Sequence, residues 1–175
     1  MAKLLIIEGL ERSGKSTQVQ ILRQLPNVKG ISLKNKEPFD IVKNMGDYHY
    51  GMHVIMLEVY KEFPDCTFVL DRSFISEFVY SEWYNRKVTI HDNAIEQMFK
   101  ENDVYLFYFH CCHDKYIERK PKNKNLLSEK DFNKQRDLFN KYYNKYSYLG
   151  NFHQIKTNIH DIEYCKNYII NTAKI

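Results

Sequence analysis

This chain of 175 residues lacks the cysteine spacings that build metal sites and disulfide frameworks. The four cysteines form no C-x-x-C pair, and two of them are adjacent, so the sequence predicts neither a zinc site nor a disulfide framework. They are Cys66, Cys111, Cys112 and Cys165. A chain without disulfides is typical of a reducing compartment, and we expect a cytoplasmic protein.

Long apolar runs and a strong excess of one charge are also missing. No run approaches the ~18 apolar residues that span a bilayer, and the N-terminus leads straight into a predicted strand instead of a signal peptide. Lys and Arg number 26 and Asp and Glu number 22, a formal net charge of +4 that is too small to indicate nucleic-acid binding. We therefore expect a soluble protein that binds neither membrane nor nucleic acid. With 43% hydrophobic residues, the chain can form the core of one domain spanning residues 1–175.

The sequence does contain a complete phosphate-binding loop near its start. An apolar run at residues 4–7 (LLII) leads into residues 9–17 (GLERSGKST), which match the P-loop pattern. The glycines of this loop let the backbone turn tightly and direct successive N–H groups at an anion. Lys15 supplies a point charge for the outer phosphates, Ser16 offers a hydroxyl to Mg²⁺, and the helix that begins there adds the positive end of its dipole. With ATP and Mg²⁺ as ligands, the predicted nucleotide-binding residues are Gly9, Ser13, Gly14, Lys15, Ser16 and Thr17.

Short apolar runs separated by helix-length stretches recur along the chain, as expected for βα units and a buried parallel sheet. The predicted strands are 3–8, 30–34, 66–71, 104–110 and 152–157. The predicted helices are 15–25, 50–62, 73–84, 91–101, 128–146 and 161–173, with a broken helical region at 115–126. The predicted fold class is α/β, with a five-stranded parallel sheet flanked by helices.

Several polar residues directly follow the predicted strands, where ligands of open α/β sheets bind. Residues 67–71 (TFVLD) have the form of a Walker B segment, whose Asp71 can hold the magnesium of the P-loop directly or through water. Arg72, the next residue, can make a forked contact with a phosphate or a carboxylate. Glu37 follows the second strand. Since the carboxyl ends of parallel strands share one edge of the sheet, one crevice is predicted to hold these side chains together with the P-loop.

The order and spacing of these motifs resemble the thymidylate kinase family over essentially the whole chain. In that family a P-loop with an acidic and then a basic residue is joined to a later Asp-Arg segment, which is followed by a serine and by an aromatic residue nine places after the Asp. The residues in those places are Glu11, Arg12, Asp71, Arg72, Ser76 and Tyr80. The resemblance implies the three-layer P-loop kinase fold, and transfer of the γ-phosphoryl group of ATP to dTMP or a related deoxynucleoside monophosphate. Similar enzymes are often homodimers, and the sequence itself leaves the oligomeric state open.

The resemblance further implies roles for single residues. Arg72 would bind the acceptor monophosphate, Asp71 would bind Mg²⁺ directly or through water, and Glu11 would lie near the sugar 3'-hydroxyl. Arg12 would stabilise the transferring phosphoryl group, a role that suits a preplaced cation because negative charge spreads over that group in the transition state. The remaining residues implied to bind substrate are Glu37, Ser76 and Tyr80.

A basic stretch after the fourth strand sits where the family carries a flexible lid over the phosphates. It spans about residues 113–127. Arg119 is the residue in it that we expect to contact the donor. The predicted catalytic residues are therefore Lys15, Arg12, Arg72 and Arg119.

Three departures from the family pattern keep an alternative open. The aromatic residue and Asn-Arg pair that usually precede the third strand are missing, Ser73 replaces the usual aromatic after Asp-Arg, and Glu77 stands where glycine is common. The result is close to the pattern of deoxyribonucleoside kinases, which phosphorylate a sugar hydroxyl with a carboxylate as general base. In that case Glu37 would be the base and Arg72 would neutralise charge near the donor. A catalytically inactive nucleotide-binding protein is a second alternative, whereas a GTPase-like switch lacks its Asp-x-x-Gly and Asn-Lys-x-Asp elements at the expected places.

Overall fold

The computed structural model describes residues 3–32, 62–88, 90–119 and 126–175. The strands in these ranges are β1 (Lys3–Gly9), β2 (Val28–Ser32), β3 (Thr67–Asp71), β4 (Asp103–His110) and β5 (Phe152–Lys156). They form one parallel sheet in the order β2-β3-β1-β4-β5. Because β1 is the central strand, the loop that follows it emerges in the middle of the carboxyl edge, beside the ends of β3 and β4.

The described helices connect the strands and lie along the sheet. They are α1 (Lys15–Leu22), α2 (Phe74–Trp83), α3 (Asp92–Glu101), α4 (His113–Glu118), α5 (Glu129–Tyr146) and α6 (Ile162–Ala173), with a short 3-10 helix at Ser147–Leu149. Two of them begin at side-chain caps: Ser128 Oγ accepts a hydrogen bond from Asp131 N at 3.1 Å, and Asp161 Oδ1 accepts one from Tyr164 N at 2.7 Å. No helix in the described ranges is long and apolar enough to cross a membrane.

Alternate residues of each strand point to opposite sides of the sheet, and because the strands are apolar along their length, both faces of the sheet are apolar. On β1, Leu4 and Ile6 join the core beneath α2, α3 and α5, whereas Leu5 and Ile7 join the core beneath α1 and α6. The first core is largely aromatic, and its fully buried rings are Phe74, Tyr108, Tyr116, Phe132, Phe139 and Tyr146. The architecture is therefore helix, sheet and helix in three layers, and the predicted fold class is confirmed.

The predicted strands are confirmed, and the ends of β1, β3, β4 and β5 lie within one residue of the prediction. Strand β2 lies two residues earlier than predicted, because Asn27 adopts a left-handed backbone (φ 61°) and turns the chain directly after α1. Helix α1 ends at Leu22, three residues before the predicted end. Leu25 instead closes a tight turn by donating to Leu22 O at 3.0 Å, since Pro26 disfavours a helical residue before it.

Most of the other helices follow the prediction. Helices α2, α3, α5 and α6 each start one residue after the predicted position. Helix α4 starts at His113, two residues before the region predicted as broken (115–126), and ends within that region at Glu118. The helix predicted at 50–62 lies outside the described residues except for its last position, and Glu37 lies outside them as well.

Candidate active site

The P-loop joins the end of β1 to the start of α1 and contains three residues with positive φ. Gly9 has φ 131°, and β1 runs close against β4 at this residue: a Cβ built on Gly9 would lie 1.9 Å from Phe109 O. Arg12 (φ 58°) and Gly14 (φ 92°) then turn the chain around the loop. A Cβ built on Gly14 would meet no atom within 4 Å, so the loop there faces open space. This open concavity, followed directly by the N-terminus of α1, fits a phosphate group.

Lys15 extends inside the loop. Its side chain is 4% exposed, and its ammonium donates to Leu10 O and, at 3.3 Å, to Ser13 Oγ. Ser13 Oγ in turn donates to Leu10 O at 2.7 Å. These bonds draw the two sides of the loop together around one carbonyl and keep the positive charge at its centre. The predicted nucleotide-binding residue Thr17 is exposed in the first turn of α1.

Ser16 and Asp71, the two predicted magnesium ligands, are neighbours across the sheet edge. Ser16 Oγ donates to Asp71 Oδ2 at 3.1 Å, which joins the start of α1 to the end of β3. Hydroxyl and carboxylate oxygens beside a phosphate loop are the donors that Mg²⁺ prefers, so this pair fits that ion. Among the residues described, no group of three or more His, Cys, Asp or Glu side chains could hold a metal ion.

Arg72 follows β3 in an uncommon left-handed conformation (φ 80°), which costs about 1–2 kcal/mol for a residue with a Cβ. Its backbone N–H donates to Ile7 O at 2.9 Å. Its Nη1 donates to Gly9 O at 3.4 Å and to Ser76 Oγ at 3.1 Å, and its guanidinium lies 5.2 Å from the centre of the Tyr80 ring. Three residues that the resemblance assigns to the acceptor, Arg72, Ser76 and Tyr80, therefore lie together at the base of the P-loop.

The surroundings of Arg72 are strongly acidic. Burial lowers the pKa of Arg72, but the Tyr80 phenol and the carboxylates of Glu8, Asp71 and Glu11 outweigh it and hold the pKa above its ordinary value. Glu11 itself is exposed at the top of the P-loop. Arg72 is thus a permanently charged guanidinium held by the loop and by α2.

Glu8 ends the first predicted strand, at the edge where the sequence places the ligand crevice, but the sequence assigned it no role. It is fully buried at the end of β1, where Oε1 accepts hydrogen bonds from Ser73 N at 2.6 Å and from Ser76 N at 3.1 Å. Its Oε2 accepts a third bond, from Ser76 Oγ at 2.5 Å. Burial raises the pKa of Glu8, while the Ser76 bonds and the charges of Arg72 and Lys15 oppose that rise. The available signal was an acid that interrupts an apolar strand directly before the P-loop.

Arg12 packs on Tyr116, a second residue that sequence reasoning did not assign. The Arg12 guanidinium lies 4.6 Å from the centre of the Tyr116 ring, and its Nη1 donates to Tyr116 O at 3.4 Å. The phenol oxygen of Tyr116 accepts a hydrogen bond from Leu127 N at 3.0 Å. Tyr116 thus contacts the P-loop on one side and the segment before α5 on the other.

Arg119 joins the P-loop to the turn after β5. Its Nη1 donates to Arg12 O and to Thr157 Oγ1, both at 3.0 Å, and its Nη2 donates to Thr157 O at 2.7 Å. The guanidinium predicted to contact the donor therefore lies beside the nucleotide loop. Thr157 is a further residue at this edge that the sequence did not single out.

No family model matches the sequence, and no curated protein matches it. The search of solved structures does find similar folds. The YorR protein from Bacillus subtilis, in complex with phosphorylated GDP, has a TM-score of 0.76 at 15% identity, covering 98% of this chain and 95% of that chain. Thymidylate kinase from Candida albicans has a TM-score of 0.64 at 20% identity, covering 99% and 92%. Deoxyadenosine kinase from M. mycoides with bound dCTP has a TM-score of 0.60 at 16% identity, covering 98% of both chains. The chain therefore has the three-layer P-loop kinase fold that the resemblance implied.

Proposed function

We infer that this protein is an ATP-dependent nucleoside monophosphate kinase, similar to thymidylate kinase, that phosphorylates dTMP or a related deoxynucleoside monophosphate. The observation that carries this inference is the location of Arg72. Its guanidinium lies 3.4 Å from Gly9 O, at the base of the P-loop, and is charged and held on several sides. A guanidinium can donate two parallel N–H hydrogen bonds to a phosphate. Beside the loop proposed to bind the donor triphosphate, it is suited to an acceptor that itself carries a phosphate.

The donor side follows from the loop. Backbone N–H groups of the P-loop and the Lys15 ammonium would bind the β- and γ-phosphates of ATP. Ser16 and Asp71 would hold Mg²⁺, which when bound neutralises charge that develops on the donor phosphates. The Arg119 guanidinium, 3.0 Å from Arg12 O, is close enough to this loop to serve the donor.

Arg12 is the residue proposed to act on the transferring group. Its guanidinium packs on the Tyr116 ring and donates to Tyr116 O, so the side chain is held beside the P-loop. A preplaced cation stabilises the phosphoryl group in the transition state at little reorganisation cost. An acceptor phosphate oxygen is already anionic, so this reaction needs no general base.

A nucleoside kinase is the second candidate, favoured by one observation. Ser73 follows Asp71 and Arg72 at the start of α2, as in the deoxyribonucleoside kinase pattern. Glu37 would then be the general base for a sugar hydroxyl. The two reactions differ in the acceptor alone, so one assay separates them.

The experiment is release of ADP from ATP and Mg²⁺ with dTMP, dUMP, dCMP, dGMP and dAMP, each beside its nucleoside. We expect turnover with one or more monophosphates and none with the nucleosides. Turnover only with nucleosides would transfer the assignment to the second candidate. No turnover across the panel would contradict both and leave a nucleotide-binding protein.

The matched variants for this assay are Lys15→Met and Lys100→Met. The first removes the charge at the centre of the P-loop and should lower kcat about a hundredfold or more. The second removes an exposed lysine at the C-terminal end of α3 and should leave kcat unchanged. Circular dichroism of Lys15→Met should match the wild type, and a Lys15→Met protein with near-normal kcat would contradict the mechanism.

A further inference from the structure

We propose that Glu8 is a positioning residue, which through Ser76 holds the Arg72 guanidinium in the orientation that receives the acceptor phosphate. This inference rests on the proposed function for the identity of the acceptor. Its physical basis is a chain of hydrogen bonds that runs from the end of β1 to the start of α2 and back to the P-loop.

The first link fixes α2 to β1. The Glu8 carboxylate accepts bonds from two backbone N–H groups at the N-terminus of α2, those of the N-cap residue Ser73 and of Ser76 in the first turn. A carboxylate at this position satisfies N–H groups that have no partner within the helix, and it also opposes the positive end of the helix dipole. Glu8 thereby sets where α2 begins relative to the P-loop, which starts at the very next residue.

The second link sets the direction of the Ser76 hydroxyl. A serine hydroxyl has one proton, and Ser76 donates it to Glu8 Oε2 at 2.5 Å. Its oxygen lone pairs are then available to Arg72 Nη1 at 3.1 Å. Without an acceptor at position 8, the hydroxyl proton would be free to turn toward the guanidinium, and the bond to Arg72 would be weakened.

The third link is electrostatic. Attraction between the Arg72 guanidinium and the buried Glu8 carboxylate helps to raise the pKa of Arg72, because burial keeps water from screening that interaction. The carboxylate already accepts three hydrogen bonds and faces no solvent, which argues against a role as proton acceptor for the substrate. Positioning of Arg72, rather than proton transfer, is the function that these contacts support.

The test compares Glu8→Gln and Ser76→Ala with a matched control, Ser81→Ala. Ser81 is also a buried serine of α2 that donates to a carboxylate, Glu77 Oε1 at 2.9 Å, so its loss measures the general cost of removing such a bond. For each variant we would measure kcat, both KM values, the melting temperature, and the Kd of dTMP and of a non-hydrolysable ATP analogue with Mg²⁺. If the wild type turns over a different monophosphate faster than dTMP, that monophosphate replaces dTMP in these measurements.

We expect Glu8→Gln and Ser76→Ala to raise KM and Kd for the monophosphate roughly tenfold or more, with the Kd of the ATP analogue within about twofold of wild type. Ser81→Ala should leave all three constants within about twofold. An equal loss of affinity for both nucleotides, or a loss in Ser81→Ala as large as that in Ser76→Ala, would overturn the proposal. If Glu8→Gln does not fold, Ser76→Ala decides in combination with Arg72→Lys: adding Ser76→Ala should then change monophosphate affinity less than about twofold, whereas a direct contact of Ser76 with the substrate would give additive losses.

A double variant separates positioning from a general structural role. Arg72→Lys keeps a positive charge but loses the planar guanidinium with its paired N–H donors, so the group that Glu8 is proposed to orient is absent. Adding Glu8→Gln to Arg72→Lys should therefore change monophosphate affinity less than about twofold, and additive losses would overturn the proposal. A wild type that binds the monophosphate without turnover would contradict the proposed function alone, because the affinity measurements still decide on Glu8. A wild type that binds no monophosphate would contradict both.

Discussion

Gly9 is the residue at which the phosphate loop and the sheet impose the tightest steric requirement. The Cβ of Gly9→Ala would lie 1.9 Å from Phe109 O and 2.8 Å from the Phe109 carbonyl carbon, and both atoms belong to the backbone of β4. Neither can move without breaking the pairing of β1 with β4, and φ of 131° is strained for alanine. We expect Gly9→Ala to lose at least about 3 kcal/mol of unfolding free energy, measured by urea denaturation.

Gly14→Ala is the control for that substitution. Gly14 also has a positive φ, 92°, but its Cβ would meet no atom within 4 Å. The cost should be limited to backbone strain of about 1–2 kcal/mol, while the added methyl narrows the open side of the loop and weakens nucleotide binding. Equal losses of stability in the two variants would contradict the steric account of Gly9.

At the scale of elements, Tyr116 connects α4 to the P-loop and to the segment before α5. Its phenol accepts from Leu127 N, whereas its ring and backbone carbonyl contact Arg12. Tyr116→Phe removes only the first contact and should cost about 1 kcal/mol of unfolding free energy with little change in kcat. Tyr116→Leu also removes the aromatic face under Arg12 and should lower kcat about tenfold.

The two Tyr116 variants separate stability from catalysis. Urea denaturation gives the unfolding free energy, and steady-state assays at saturating ATP give kcat. If Arg12 is positioned by the ring, the loss of kcat in Tyr116→Leu should largely disappear in a protein that already carries Arg12→Lys. A Tyr116→Phe protein with the same loss of kcat as Tyr116→Leu would instead assign the effect to the Leu127 contact.

For the whole molecule, the sequence predicted those features that are local along the chain. Apolar runs predicted the strands, and the P-loop spacing predicted the Lys15 and Ser16 side of the site, which the structure describes at the end of β1. Contacts between distant residues carry no such local pattern. Glu8 meets Ser76 and Arg12 meets Tyr116 only because β1 lies between β3 and β4, so their partners follow from strand order.

The same strand order distributes the residues proposed to bind nucleotide over the entire fold. Ser16 at the start of α1 and Asp71 at the end of β3 form one pair, and Arg119 joins the P-loop to the turn after β5. A nucleotide with Mg²⁺ that binds across these elements binds the folded state alone, so it should stabilise the protein. At roughly 100 times its Kd, a non-hydrolysable ATP analogue should add about 2.7 kcal/mol, a rise in Tm of roughly 5–10 °C.

Chelation and one substitution test the origin of that stabilisation. Removing Mg²⁺ with EDTA should lower the rise in Tm for the wild type. Asp71→Asn keeps the shape of the side chain that contacts Ser16 but loses its charge. With and without Mg²⁺, its rise in Tm should be as small as that of the wild type in EDTA. Scanning calorimetry over the same ligand concentrations measures each value. Two results would show that the Ser16 and Asp71 pair does not hold the ion. The first is a wild-type rise in Tm that is as large in EDTA as with Mg²⁺, and the second is a rise in Asp71→Asn that still depends on Mg²⁺.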